Sequence, residues 1–422
     1  MKKSLILLLF ISVYSLKVVA QQEKGIYGSS NWLLNWTSFK PNNNDYNDNS
    51  KVADNLISIN TTWVNTETYL LDGKVYVTGN ATLTIQPGTI IRCSSESALI
   101  ITKGSKLIAE GTGNSPIVFT SSKPIKEKKP GDWGGIVIMG DAPINYLSTT
   151  CNLDNDIKQE FKQYGGSNAP HNGGALKYVR IEYAGRASEG YQRFRGLTFA
   201  GVGSQTKADF IQITNCLGGS FMILGGGFSA NNLFSYKCRN NDFEITLGSQ
   251  FNLNNSIAIR NIQSSNNNES HAVGLKVSSF LKKEMSDFNK KLTNVVATNI
   301  TIVNEIEKPE SNELTLLKEG VKIMPYCSLT LKSSIICGFA PAVLLDTGID
   351  FKEFKNINIE KGFFNNCNKY VISENGGSMD GELEEKYANK DNVQETLSFE
   401  NLFIEPKNEK TPDYRVQIAK IR

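Results

Sequence analysis

Short apolar runs closed by turn formers follow one another along most of the chain. VYVTG (75–79), ATLTIQPGTII (81–91), ALIITKG (98–104), KLIAEG (106–111) and PIVFTSS (116–122) are each strand-length and end in Gly, Asn, Pro or Ser. LKYVRIEYAG (176–185), DFIQITNC (209–216), NLFSYKC (232–238) and SIAIRN (256–261) continue the series. NVVATNITIVN (294–304), LTLKSSIIC (329–337) and FKNINIEKGFFNNC (354–367) repeat it at looser spacing. Taking Ile213, Tyr236 and Ile259 as anchors gives two equal steps of 23 residues. Short strands at such a period, without helices between them, predict an all-β solenoid, a right-handed parallel β-helix of pectin-lyase-like type. A β-sandwich also spaces strands closely, but it does not explain equal steps. Asn215, Asn261 and Asn304, two residues after their anchors, are expected at turns, where asparagine tolerates left-handed backbone and stacks in ladders.

Where the period breaks, insertions are expected: near 145–174, 278–292, 305–320 and 376–392. Leu281, Met285, Phe288 and Leu292 share one helical face, so 281–292 is predicted as a short helix. The other three are predicted as solvated loops. Residues 21–60 are read as an N-terminal extension or cap, 61–405 as the β-helix domain and 406–422 as a C-terminal tail. GDWGGIVIMGDAPIN (131–145) is glycine-rich, yet no Lys-Ser or Lys-Thr follows and GxGxxG is not met, so it is no phosphate cradle. It reads as one coil, with a buried strand at Ile136–Met139 and a packed Trp133.

The first twenty residues change the picture of location. Lys2 and Lys3 precede an apolar Leu5–Val13 segment, and Val18-Val19-Ala20 offers small residues at a cleavage site. That predicts a signal peptide cut near Ala20 and an exported protein: periplasmic, at the outer surface or secreted. The apolar stretch falls short of the ~20 residues of a membrane span. No cysteine follows the cut, so a lipid-anchored start is not expected. A formal charge of +3 over 422 residues gives no electrostatic case for nucleic acid. The seven cysteines show no CxxC pair, and buried free thiols are expected.

The series NWTSFKPNNNDY (35–46), YLLDGKVYVTGNATLTIQPGTII (69–91), ALIITKGSKLIAEGTGNSPIVFTSSKP (98–124), GDWGGIVIMGDAPIN, QYGG (163–166), GLTFAGVGSQT (196–206) and SFMILGGGFSANNLFSY (220–236) resembles a family of secreted right-handed β-helix proteins common in the Bacteroidota. The resemblance extends to about residue 260 and implies an exported β-helix without an established activity. Where that family carries an Asp-rich D-D-D-F-D run, this chain has Asn240, Asn241, Asp242, Phe243 and Glu244. It ends TPDYRVQIAKIR, too short for the sorting domain of many members, so surface attachment by that route is not expected.

Side chains at equivalent outward positions of neighbouring coils stack about 4.8 Å apart. Taking the residue after each anchor, Glu182, Thr214, Lys237 and Arg260 are expected in one outward column, with Arg180 beside it as a further binding residue. Asp242 and Glu244, alternating with inward Phe243, Ile245 and Leu247, would point outward about 6.6 Å apart. Such a pair suits one Ca2+ ion or acid–base work on a glycosidic bond. His171 and His271 lie a hundred residues apart, and no nucleophile triad is readable. The expected partner is a polysaccharide or an envelope component bound on an elongated surface; a polysaccharide lyase or glycoside hydrolase is the alternative.

Overall fold

In the computed structural model, the structure describes residues 24–48, 50–261, 272–305, 319–350, 352–376 and 378–417. The fold is a right-handed parallel β-helix with three faces. Strands of the third face, such as Leu197–Ala200, Phe221–Leu224, Phe243–Thr246 and Leu275–Val277, form an 11-stranded parallel sheet. The other two faces merge into a 19-stranded sheet, because single strands such as Gly174–Glu182, Lys207–Thr214 and Gly227–Tyr236 bend and serve both.

Register makes the core. Leu197, Phe221, Phe243, Leu275 and Val321 pair in succession and point inward, as do Phe199, Ile223, Ile245, Val277 and Ile323. Phe221 and Phe243 stack with ring centroids 5.5 Å apart. Continuous apolar stacking of this kind is the main favourable term of the fold. Trp133 is wholly buried, and its ring N–H donates to the Glu182 carbonyl at 2.8 Å. The strand Ile136–Met139 beside it is buried throughout, so the glycine-rich stretch is a coil.

The anchors need one correction. Ile213 pairs with Ser235, while Thr214 pairs with Tyr236 and Tyr236 with Ile259. Ile213 therefore faces the lumen, whereas Tyr236 and Ile259 face outward. A one-residue slip reverses the face of every side chain. Ile259 is still fully buried, because a second layer covers it.

That layer is the N-terminal segment, which runs along the side of the solenoid as a strap rather than capping its end. The Gly25 amide donates to the Ser333 carbonyl at 2.7 Å and the Ile26 amide to Thr301 Oγ1 at 2.9 Å. Further along, Ser38 exchanges two hydrogen bonds with the Gln212 amide, at 2.8 and 2.7 Å. Phe39 packs on Phe234 and Tyr236, and Asn42 accepts from the Tyr183 hydroxyl at 2.6 Å. The strap and the C-terminal segment together form the layer in which outward Phe234, Tyr236, Ile257, Ile259 and Val303 are buried.

Three further expectations change. Residues 281–292 hold only a 3-10 turn, Lys283–Met285, with Leu281 and Phe288 about half exposed. The Asp287 carboxylate accepts from the Asn289 amide at 2.9 Å, a local bond that competes with a helix. Conversely, the charged stretch near 376–392 contains an α-helix, Ser378–Ala388, whose Leu383 and Tyr387 are fully buried in the main core. It caps the last coils, and the Tyr387 hydroxyl donates to the Ile357 carbonyl at 3.0 Å. The expected tail includes a strand, Asp413–Val416, which pairs with Phe403–Glu405 and packs in the strap layer. The excursion near 145–174 is largely non-regular, with a two-residue hairpin of Cys151–Asn152 and Gln163–Tyr164. That near 305–320 lies mostly outside the described residues, as does the proposed signal peptide.

All seven cysteines are free thiols, six of them buried and Cys151 half-buried.

Candidate functional site

One bend of the coil carries residues with left-handed backbone, at Tyr178, Phe210, Asn232, Asn255 and Asn299, with φ between 45° and 55°. The asparagine ladder therefore stands at Asn232, Asn255 and Asn299; of the three positions expected, Asn215 has the left-handed turn backbone, at φ 52°, and Asn261 and Asn304 do not stand in the ladder. Asn215 shares the next bend with Tyr183 and Lys237, Asn304 pairs with Arg260 inside a strand, and Asn261 reaches Glu305 at 3.5 Å.

The expected binding column is not assembled. Glu182 and Thr214 are paired in register, but the next member is Tyr236, because of the slip described above. Arg180 and Glu182 form an ion pair at 3.0 Å beneath the strap, where Arg180 donates to the Tyr46 hydroxyl. Glu182 is 1% exposed. Lys237 sits at the bend, 3.1 Å from Glu305. Burial alone would lower its ammonium, but Tyr236 and Glu305 outweigh burial and raise it. Arg260 is buried against Asp242 and also donates to the Asn240 carbonyl at 3.0 Å.

The expected carboxylate pair is not assembled either. Phe243 and Ile245 point inward as anticipated, and Leu247 does not; it packs outside, with Ile144 and Leu224. Asp242 is fully buried, bonded by Arg260 and by the Ser235 hydroxyl at 2.5 Å. Glu244 does face outward, 3.3 Å from Arg195 and 3.6 Å from Lys276. Burial would raise its carboxyl, yet those two cations hold it below the usual range. Each carboxylate is neutralised by its own cations, so the pair is not arranged for calcium or for acid–base work. Among the described residues no group of three His, Cys, Asp or Glu is placed to hold a metal ion.

The structure instead builds a groove that the sequence reading passed over. Two insertions leave the solenoid at the same corner, between the third face and the long face. One follows the strand Ile136–Met139, and the other follows Leu275–Val277. They clasp each other: Asn145 donates to the Lys291 carbonyl at 3.0 Å and Leu147 to the Met285 carbonyl at 2.8 Å, while Lys290 donates to the Tyr146 carbonyl at 2.6 Å. The coils between them turn tightly on glycine. Gly225 and Gly226 have φ of 67° and 71°, and a Cβ on Gly226 would lie 2.0 Å from the Val202 carbonyl oxygen. A Cβ on Gly225 would strike Ile144 of the first insertion at 2.4 Å. Long walls and short turns leave a groove of about 980 Å³.

Its floor carries a ladder of polar side chains, set among apolar lining such as Ile144, Ala208 and Phe228. Asp209 pairs with Asn231, and Asn231 with Asn254; Ser229 pairs with Asn252. The Asn252 amide donates to the Ser229 hydroxyl at 3.0 Å and the Asn254 amide to the Asn231 carbonyl oxygen at 3.3 Å. Gln250, Lys207, Lys290 and Lys291 add to the polar lining, and Asp209 is the one carboxylate among the lining residues. Burial raises its carboxyl to about 6, against the pull of Lys177. His171 stands behind the groove, 6% exposed, with its Nε2 3.9 Å from Asp141 and its carbonyl accepting from Thr206 at 3.5 Å. Burial lowers its imidazolium pKa. His271 lies outside the described residues. A second cleft of about 590 Å³ opens on the third face beyond the clasp, lined by Arg195, Glu244 and Tyr164 among others.

A family model described as a pectate-lyase-like β-helix domain matches residues 55–401. The chain belongs to that family. No curated protein and no solved structure matches the chain. The family match spans both insertions and the groove floor, so the site lies within the pectate-lyase-like domain. No described helix is long and apolar enough to cross a membrane. The signal that would have located the groove was present: turns GVGS (201–204) and LGGG (224–227) contrast with long insertions at equivalent positions. Seeing it requires knowing that these segments share a corner.

Proposed function

We propose that this chain is an exported protein that binds a glycan strand in the groove between the two insertions, with cell-envelope polysaccharide as the class of partner. One observation carries the reading: amide and hydroxyl side chains from successive coils are stacked along the groove floor, at the rung spacing of about 4.8 Å. A sugar chain offers hydroxyl donors and acceptors at a comparable repeat, so each sugar can meet its own rung. The pectate-lyase-like domain fits a carbohydrate-related role. Hydrolysis through two carboxylates needs a second acid, whereas the lining supplies Asp209 as its one carboxylate, which favours binding over turnover. Export rests on the leader at residues 1–20 and would be lost on its deletion, read by fractionation.

Affinity electrophoresis against acidic and neutral polysaccharides tests the reading. Changing Asn231 and Asn252 together to Ala should weaken binding by roughly 30-fold, taking about 1 kcal/mol per hydrogen bond. Unchanged retardation in the double variant would place the ligand elsewhere. Product assayed as reducing ends or unsaturated sugar would instead make the chain an enzyme.

A further inference from the structure

The groove combines exposed amines with one carboxyl group held in an unusual state. Lys207 and Lys291 are exposed at the lining, whereas the Lys290 ammonium is engaged by the Tyr146 and Ser148 carbonyls at 2.6 and 2.9 Å. Asp209 is half-buried on the floor, and its Oδ1 is buried without a hydrogen-bond donor. Its neighbours on the adjoining coils are Lys177 on one side and neutral Asn231 on the other. Lys177 in turn spreads over the Tyr178 and Phe210 rings, at 5.6 and 5.9 Å from their centroids. One rung further, Glu110 pairs with Lys177 in register. A carboxylate so poorly solvated readily takes a proton when further negative charge arrives.

Resting on the glycan reading above, we infer that Asp209 determines which glycans the groove accepts: an acidic sugar seats only with Asp209 protonated, so its binding takes up one proton there. The amines at the lining attract the anionic strand, and the ionised Asp209 opposes it. When the sugar carboxylate arrives, a proton from solvent adds to the Asp209 carboxylate, which becomes a neutral carboxylic acid. It then donates a hydrogen bond to the ligand instead of repelling it. A neutral glycan needs no such proton.

The sign follows from linkage. With its carboxyl at about 6, Asp209 is mostly protonated at pH 5 and mostly ionised at pH 7. The affinity for an acidic strand should therefore fall about tenfold over that interval, while the ligand's own carboxylates, titrating near the usual ~3.5, stay ionised. The other charged groups on the groove side are Lys207, Lys290, Lys291 and Lys177. His171 stands behind Thr206 and beside Asp141, and the variant below separates its contribution.

The test is isothermal titration of the full chain with a uronic-acid hexamer and a matched neutral hexose hexamer. It is run at pH 5 and 7, in two buffers of different ionisation heat. The expected result is a tenfold loss of uronate affinity at pH 7, with close to one proton taken up per ligand, and no slope for the neutral hexamer. Asp209→Asn, isosteric and checked for an unchanged circular dichroism spectrum, should bind uronate with no slope. A slope retained in Asp209→Asn assigns the proton to another group, His171 first, and overturns the inference. A flat profile in the unaltered protein does the same. Failure of both hexamers to bind at either pH removes the glycan reading itself, a distinct outcome.

Discussion

Two faces of the same coils meet solvent differently. On the strap side the outward positions are covered by the chain itself: Phe234, Tyr236, Ile257, Ile259 and Val303 pack in one layer with residues of both terminal segments, and the Arg180–Glu182 pair and Gln212 lie beneath the strap. On the groove side they are Asp209, Ser229, Asn231 and Asn252, polar and uncovered by the strap. The inner positions of both faces are alike. The inner residues therefore establish the solenoid, and an apolar outer row marks a surface that the chain covers with its own segments. Where the strap passes from one coil to the next, its composition follows suit: Ile26, Leu33 and Phe39 lie over the apolar rows, and Asn42 and Tyr46 over the Tyr183 and Arg180 end.

The largest effect should come from Ile213→Asp. It places an unpaired charge in the lumen, where no water reaches, and should cost more than ~4 kcal/mol, enough to abolish the β-type circular dichroism spectrum. Ile259→Asp is the sharper contrast. Its side chain is as buried, but the cost is limited by what it takes to lift the strap. The protein should stay folded, with residues 24–48 cut early in limited proteolysis. Equal global unfolding in both variants would break the distinction between core and strap layer.

A smaller effect is expected at the corner. Gly225→Ala puts a side chain at positive φ and against Ile144, and should destabilise by ~1–3 kcal/mol in thermal unfolding. It should also open the clasp, so binding falls more than stability. Smaller again is the pH response of the wall. Burial lowers the His171 pKa, so the folded state prefers the neutral ring. The stability this residue provides is complete above the unfolded value of about 6.5 and is lost as pH falls through the folded one. Melting temperature should decline between pH 6.5 and 5, and the decline should be reduced in His171→Gln. The smallest effect is Asn231→Ala with Asn252→Ala. Their surface bonds should change stability by no more than ~0.5 kcal/mol while glycan binding falls by roughly 30-fold.

The parallel β-helix was legible because its cause is local and repeated. Apolar residues at alternate positions, closed by Gly or Asn every twenty-odd residues, can be buried only if each run stacks on its predecessor. The buried free thiols and the burial of Trp133 follow from the same logic. Single sites did not follow. Anchoring on Tyr236 instead of Ser235 moved a whole column by one residue, because Tyr236 is the less polar of the two and the strand period is two. From that slip came the Glu182, Thr214, Lys237 and Arg260 column, whose members the structure sends under the strap, to the bend and against Asp242. The alternation of Asp242 with Phe243 and Glu244 was readable, but the Arg260 that draws Asp242 inside comes from the next coil.

What the sequence determined by itself was therefore the kind of fold and its repeat of short apolar runs, both set by short-range periodicity. Only the tertiary structure decided which outward rows are covered and which line a groove. Those outcomes depend on contacts between distant residues, such as Ile26 with Thr301 and Asn145 with Lys291. Asp209 shows the reason most plainly. Its residue type and its strand are local facts, but its near-neutral carboxyl arises from desolvation by surroundings that chain order does not place beside it.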